Sequence, residues 1–326
     1  MRWLRLETWR EAADAIRALR VRGAPLIGAA AAYGLALAAR ADPGDEALAE
    51  AARGLRDTRP TAVNLRWAIE RMMDALGGAP TGERARRAYR EARAICDADV
   101  AANRSIGKHG LKLIGGLAAR NPDRPVEVLT HCNAGRLATV AWGTATAPIY
   151  LAHARGIPVH VWVSETRPLN QGALTAWELR RAGVPHTVVT DSACGHLLAR
   201  ARVDCCLVGT DRTAANGDVA NKIGTFLKAL AAREAGVPFW VAAPSSSIDW
   251  SVGDGAAIPI EERGPEELRA GAAGARWLDE GTPVANPAFD VTPARLVSAL
   301  VTERGVAAAS REGLAALFPE HAQEEP

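Results

Sequence analysis

The chain has no CxxC pair, no GxGxxG after its first strand, no GxxxxGK[ST], and only four lysines, at 108, 112, 222 and 228. Five cysteines, at 96, 132, 194, 205 and 206, are an odd number without metal-ligand spacing. That pattern argues against a disulfide framework and a zinc site, and it fits the reducing cytoplasmic compartment. Without either glycine-rich phosphate loop, a dinucleotide or P-loop reading has little support. Net charge is scarce too: 39 Lys plus Arg stand against 37 Asp plus Glu. No field is strong enough to make nucleic acid or a membrane surface the main partner, so any bound anion is small and locally held. The opening MRWLRLETWREAAD carries acids where a signal peptide has its apolar core, and the longest apolar run, 24–39, is short and Ala/Gly-rich for a bilayer. The sequence therefore reads as a soluble protein. It shows no internal repeat, and the polar tail 319–326 is expected to fray.

What is present is length and apolar content: 326 residues, 48% of them hydrophobic, enough for one large domain or two of ordinary size. Apolar residues recur every three or four positions through 9–19, 26–39, 47–55, 65–76 and 84–117, with Pro43-Gly44 and Gly77-Gly78-Ala79-Pro80 as breaks. No strand is expected there. After Asn121-Pro122-Asp123-Arg124-Pro125 the texture changes to short β-branched runs at 126–130, 158–164, 186–190, 205–210 and 239–243. Helical patterns at 136–154, 173–182 and 222–235 separate them. Such alternation predicts right-handed βαβ units and a doubly wound parallel sheet. The expected organisation is α/β, with a helical N-terminal domain over 1–122 and a sheet domain over 123–326.

In open parallel sheets ligands bind beyond the carboxyl ends of the strands. The chain places Thr130-His131-Cys132-Asn133-Ala134-Gly135, Ser164-Glu165-Thr166-Arg167-Pro168, Thr190-Asp191-Ser192 and Gly209-Thr210-Asp211-Arg212-Thr213 there. Cys132, past a strand and before a helix, sits where a thiol pKa is lowered; a buried inert cysteine is the other reading, and the one expected of Cys205 and Cys206. Asp211 reads either as a turn or cap residue or, in a closed apolar site, as a carboxyl that keeps its proton and serves as a general acid. His131, beside Cys132 on an extended segment, points to the opposite face and reads as structural. Arg22-Gly23-Ala24-Pro25 opens a helix, where free N–H groups favour an anion, although taken alone a solvated Arg before a Gly/Pro turn is the plainer reading. Lys222, at the expected start of a helix in a chain that avoids lysine, reads as a phosphate-binding point charge.

These segments, with Arg22-Gly23-Ala24-Pro25-Leu26-Ile27-Gly28, Arg59-Pro60-Thr61-Ala62-Val63-Asn64-Leu65, Gln171-Gly172-Ala173-Leu174-Thr175-Ala176-Trp177-Glu178-Leu179 and Ala214-Ala215-Asn216-Gly217-Asp218-Val219-Ala220-Asn221-Lys222-Ile223-Gly224-Thr225, resemble the 5-methylthioribose-1-phosphate isomerase family of methionine salvage. The similarity extends through Ile258-Pro259-Ile260-Glu261-Glu262-Arg263 and Asn286-Pro287-Ala288-Phe289-Asp290-Val291-Thr292-Pro293.

The resemblance implies an aldose-to-ketose isomerase with no redox cofactor and no required metal. It further implies a helical N-terminal domain on a Rossmann-like one, and a homodimer. By position, Asp211 matches the family's proton donor and Cys132 its second catalytic residue. Arg22, Gly23, Ala24, Arg59, Gln171, Asn221 and Lys222 match substrate-binding positions. Two further readings follow from the same fold. One is an isomerase of ribose 1,5-bisphosphate or 5-deoxyribose 1-phosphate. The other is a non-catalytic assembly subunit like the regulatory subunits of translation initiation factor 2B. Departures from the family pattern are the missing residues and short strands before the first helix, Ser164 where Asp is common, Thr213 where an aliphatic residue is common, and Cys194 for a usual Met. The last three are expected beside the site, where they bear on the 5-substituent accepted.

Overall fold

The computed structural model describes residues 4–59, 62–270 and 276–322. Five helices come first: α1 (Trp9–Arg17), α2 (Ala24–Ala41), α3 (Asp45–Arg56), α4 (Val63–Gly77) and α5 (Thr81–Arg120). Thr8 starts α1, its Oγ1 accepting from Glu11 N at 3.1 Å, while Glu11 Oε2 accepts from Glu7 N at 2.6 Å. The Thr8 contact satisfies a donor that the first turn leaves unpaired, and the Glu11 contact ties down the residue before the cap. Among the described residues no strand precedes Val126.

By length and composition α2, with a mean hydropathy of 1.3, is long and apolar enough to cross a membrane. Its place in the fold accounts for that character. Ile27, Ala31, Ala32, Leu35, Ala36 and Ala39 of α2 lie in one buried cluster with Ile16, Leu48, Leu55, Leu65, Ile69 and Met72 from its neighbours. Each large side chain buried here contributes roughly 1.5–3 kcal/mol. The start of α5 closes the same cluster through Ala88, Ala92 and Ile95. Its far half packs instead on the helix over 146–154 and on the sheet, through Ile106, Leu111, Ile114 and Leu117.

From there the chain alternates β1 (Val126–Thr130), α6 (Thr146–Ala154), β2 (Val159–Ser164), α7 (Gly172–Arg181), β3 (His186–Val189), α8 (Ala193–Ala199) and β4 (Cys205–Val208). It continues through β5 (Arg212–Ala214), β6 (Val219–Lys222), α9 (Thr225–Glu234), β7 (Phe239–Ala242), β8 (Ile248–Asp249) and α10 (Glu266–Arg269). Then come β9 (Phe289–Thr292), β10 (Ala299–Val301), β11 (Val306–Ala307) and α11 (Arg311–Leu317). The main sheet has the order β11-β10-β7-β4-β1-β2-β3 and is parallel except for β11. Val128 of β1 pairs with Val161 on one side and Cys205 on the other. Winding runs from β1 outward to β2 and β3, then returns to β4 on the other flank. The crevice beyond β1 and β4 is therefore the switch point at which such sheets bind ligands.

Three local expectations are corrected. A second sheet, β8-β5-β6-β9, was not foreseen, because strands of two to four residues are too short to display alternation. Lys222 closes β6 and does not open a helix; α9 begins at Thr225, after Gly224 turns with φ +95°. Helix was also expected from residue 136, yet α6 begins only at Thr146. The backbone N–H groups of Arg136 and Leu137 are taken by Glu178 and that of Val140 by Asp99, and Trp142 adopts φ +73°. Side-chain acceptors have replaced the helical ladder there.

Candidate active site

A cavity of about 350 Å³ opens at the switch point, lined by Arg22, Arg59, Cys132, Gln171, Asp211, Lys222, Arg263 and Phe289, with Ala18, Leu19, Leu169 and Leu174. Helical and sheet segments both supply it. Residues as far apart in the chain as Ala18 and Phe289 thus meet around one space.

Cys132 lies two residues past β1, buried, with φ +63°. Thr166, two residues past β2, has φ +66°, and its Oγ1 accepts from Cys132 N at 2.8 Å. Left-handed backbone at two non-glycine residues on facing strand ends is strain held by its surroundings, as functional loops often are. Asp191 supplies part of that hold by accepting from Thr166 N at 2.9 Å and Arg167 N at 2.8 Å. The thiol was expected to be acidified, but burial pushes its pKa up, against the pull of Arg22 and Lys222. The helix expected directly after it is missing, since α6 starts only at Thr146, and desolvation prevails.

Asp211 follows β4, and among the described residues no donor is spent on its carboxyl oxygens. Burial raises its pKa, with Lys222, Arg59 and Arg22 opposing and Glu261 reinforcing the shift. Of the two readings open to Asp211, the carboxyl in a closed site is the one this environment supports. Around it the charges are arranged in pairs. Arg22 gives Nη1 to Asn133 Oδ1 at 2.5 Å and Nη2 to Asn133 O at 3.1 Å. Arg59 gives Nη2 to Glu261 Oε2 at 2.7 Å, and Arg263 gives Nη1 to Glu261 Oε1 at 3.0 Å. Lys222 Nζ stands 4.4 Å over the ring of Phe289, an attraction between cation and π face. The side chain of Gln171 is 8% exposed, and its Oε1 has no hydrogen-bond partner among the described residues. A buried acceptor without a partner, in a residue that lines a cavity, suits a ligand hydroxyl.

The remaining expected positions stand just behind this surface. Gly23 caps α2 with φ +92°, and a Cβ there would lie 2.4 Å from Ala138, so only glycine lets α2 dock on the loop after β1. Ala24 lines a smaller recess of about 40 Å³ that shares Arg59, Asp211 and Phe289 with the main cavity. Asn221 is buried and gives Nδ2 to Thr225 Oγ1 at 3.0 Å; alternation along β6 turns Lys222, not Asn221, into the cavity. Pro60 and Thr61 of the Arg59 motif lie outside the described residues.

His131 is the structural residue expected: it is 1% exposed and Nε2 contacts Ile223 O at 2.9 Å. Burial lowers its pKa and keeps it neutral. Cys205 and Cys206 are buried within β4. Ser164, Thr213 and Cys194 are likewise buried and none lines the cavity. Arg263, Glu261 and Phe289 escaped the chemical reading of the sequence, although all three fall within motifs that resemble the family.

The chain is matched from residue 20 to 309 by the model of the initiation factor 2 subunit family. It is 60% identical to a methylthioribose-1-phosphate isomerase of Rhodospirillum centenum, over 98% of this chain and 88% of the relative. It is also 60% identical to the corresponding protein of Acidiphilium cryptum, over 98% of this chain and 89% of the relative. Among solved structures, the 5-methylthioribose 1-phosphate isomerase of Pyrococcus horikoshii aligns with TM-score 0.83 and 41% identity, covering 96% of this chain and 88% of that one. A protein described as the delta subunit of translation initiation factor eIF-2B from A. fulgidus aligns with TM-score 0.81 and 42% identity, covering 97% and 92%.

Proposed function

Since the chain belongs to the initiation factor 2 subunit family and, within it, to the methylthioribose-1-phosphate isomerases, we propose that the cavity between Cys132 and Asp211 is where it acts. The reaction is the aldose-to-ketose conversion of 5-methylthio-α-D-ribose 1-phosphate to 5-methylthio-D-ribulose 1-phosphate in methionine salvage. The observation that carries the site assignment is the meeting of a buried carboxyl, a thiol and four cationic side chains around one space of sugar-phosphate size.

A phosphate on the anomeric oxygen blocks the easy ring opening of a free sugar, so an acid is needed at the ring oxygen. Asp211, whose carboxyl burial makes a weaker acid than usual, gives its proton to that oxygen as the bond from the first carbon breaks. The carboxylate left behind faces Lys222, Arg59 and Arg22, which stabilise it. Hydrogen then passes from the second carbon to the first while the second hydroxyl becomes the carbonyl, its proton returning to the Asp211 carboxylate and regenerating the acid. The raised thiol pKa suits Cys132 to donate a hydrogen bond to oxygen that gains charge, more than to stand as a resting base. Arg22, Arg59 and Lys222 hold the phosphate, Gln171 Oε1 takes a hydroxyl, and Gly23, Ala24 and Asn221 act from the first turn of α2 and from β6. Holding the sugar this way makes the steps effectively intramolecular.

The recess beside Asp211 bears on the 5-substituent. Ala24, Ile27, Ala62, Ile258, Pro259 and Ile260 line it, and its two arginines are turned to carboxylates: Arg59 to Glu261, and Arg212 with Nε 3.6 Å from Asp249. An apolar group fits there better than a second phosphate. Turnover of methylthioribose 1-phosphate beside ribose 1,5-bisphosphate and 5-deoxyribose 1-phosphate, with products followed by NMR, tests this. Higher kcat/KM on either competitor, or no turnover at all, rejects the reading. The eIF-2B delta relative motivates one further arm, in which absence of turnover together with assembly onto partner subunits marks a non-catalytic role.

A helical N-terminal domain over 1–122 and a catalytic domain over 123–326, in a cytoplasmic homodimer, complete the proposal. Five free cysteines support the reducing compartment. Exposed apolar side chains support self-association: Leu227 and Leu230 on α9 are 69% and 39% exposed, and Val188 on edge strand β3 is 48% exposed. Sedimentation of the purified chain as a monomer at micromolar concentration refutes the dimer.

A further inference from the structure

Behind the wall that carries Cys132 lies a carboxylate the reaction does not use. Glu178, on α7, is buried, and no salt bridge to it is formed among the described residues. Its Oε1 accepts from Asn133 Nδ2 at 2.9 Å and Leu137 N at 3.0 Å; its Oε2 accepts from Arg136 N at 2.6 Å and Tyr150 OH at 3.0 Å. A Cβ on Gly135 would lie 2.3 Å from Oε2, so the loop after β1 closes directly onto this group.

Donor and acceptor accounting gives the contact a direction. The carboxylate takes only donors here, so it fixes Nδ2 as the end of the Asn133 amide that faces it. Because the amide is planar, Oδ1 then points the other way and takes Arg22 Nη1 at 2.5 Å. Thr175, also on α7, anchors the same turn: its Oγ1 gives to Cys132 O at 2.7 Å and takes from Asn133 Nδ2 at 3.1 Å. One helix thus sets both the thiol-bearing turn and, through a single amide, the guanidinium at the cavity wall.

We infer that Glu178 and Asn133 are positioning residues for anion binding: Glu178 decides which way the Asn133 amide faces, and Asn133 aims Arg22 at the phosphate. The inference rests on the sugar-phosphate reading of the cavity, but the relay is testable with inorganic phosphate alone.

The experiment is a double-mutant cycle between Glu178→Gln and Arg22→Ala, read as KM and kcat for methylthioribose 1-phosphate and as the affinity for inorganic phosphate by calorimetry. In the parent background Glu178→Gln weakens phosphate binding by at least ~10-fold, the scale of a lost charge-assisted hydrogen bond. In the Arg22→Ala background it weakens binding by less than ~3-fold, because its route to the ligand is already cut. Tyr150→Phe, which removes one donor without touching Asn133, leaves phosphate affinity within ~2-fold of the parent. Equal fold losses in both backgrounds, or parent-like affinity in Glu178→Gln, overturn the relay. Should Glu178→Gln fail to fold, Asn133→Ala in the same two backgrounds decides by the same criterion. A parent that binds neither phosphate nor sugar phosphate instead rejects the reading of the cavity.

Discussion

Arg59 gives both Nε and Nη2 to one carboxylate oxygen of Glu261, at 3.1 and 2.7 Å, and so ties the residue before the α4 motif to the segment leading into α10 across the cavity wall. Burial pushes the Glu261 carboxyl up, but Arg59 and Arg263 more than offset this and hold it below the usual range. It is therefore a fixed negative charge near Asp211, whose pKa it helps to raise.

A pH profile follows from this. Asp211 works as an acid while protonated, so kcat falls as pH rises through its raised pKa. Glu261→Gln removes one cause of that rise, and the alkaline limb of kcat is expected to begin at lower pH than in the parent. An unmoved alkaline limb would separate Glu261 from the proton donor.

Asp211→Asn keeps the shape and loses the proton. The expected result is a drop of at least ~10²-fold in kcat with product affinity nearly unchanged. A change of only a few-fold would make Asp211 a turn residue.

Arg22→Ala and Lys222→Ala should each weaken product binding by ~1.5–3 kcal/mol, if each supplies one charge-assisted hydrogen bond to the phosphate. Calorimetric titration measures this directly. Parent-like affinity in both variants would place the phosphate elsewhere.

Cys132 should alkylate slowly at neutral pH, with a rate that keeps climbing past the pH at which an ordinary thiol has ionised, because burial disfavours its thiolate. Bound substrate should protect it, and Cys132→Ser should fold normally and lose most activity. Rapid labelling at pH 6 to 7, followed by peptide mapping, would reveal an acidic thiol and reverse the role given to it here.

The sequence alone determined the run of five helices and the strands that alternate with helices after them, because an apolar period of 3.6 and short β-branched apolar runs are written in the order of residues. Their observed spans, Trp9–Arg17 to Thr81–Arg120 and Val126–Thr130 to Phe239–Ala242, lie close to that pattern. It also exposed Cys132 and Asp211, since polar residues directly after apolar strands stand out. Tertiary structure alone decided their ionisation: whether a helix end or a dry wall surrounds a thiol depends on chain far from it, and here the dry wall prevailed. The small second sheet was illegible because two to four residues carry no period, and its strands find their partners only across Asn216-Gly217 and the long path to Phe289. Glu178 was illegible for a related reason. Within α7 it looks like any helical acid, and only the folded loop after β1 brings four donors to it.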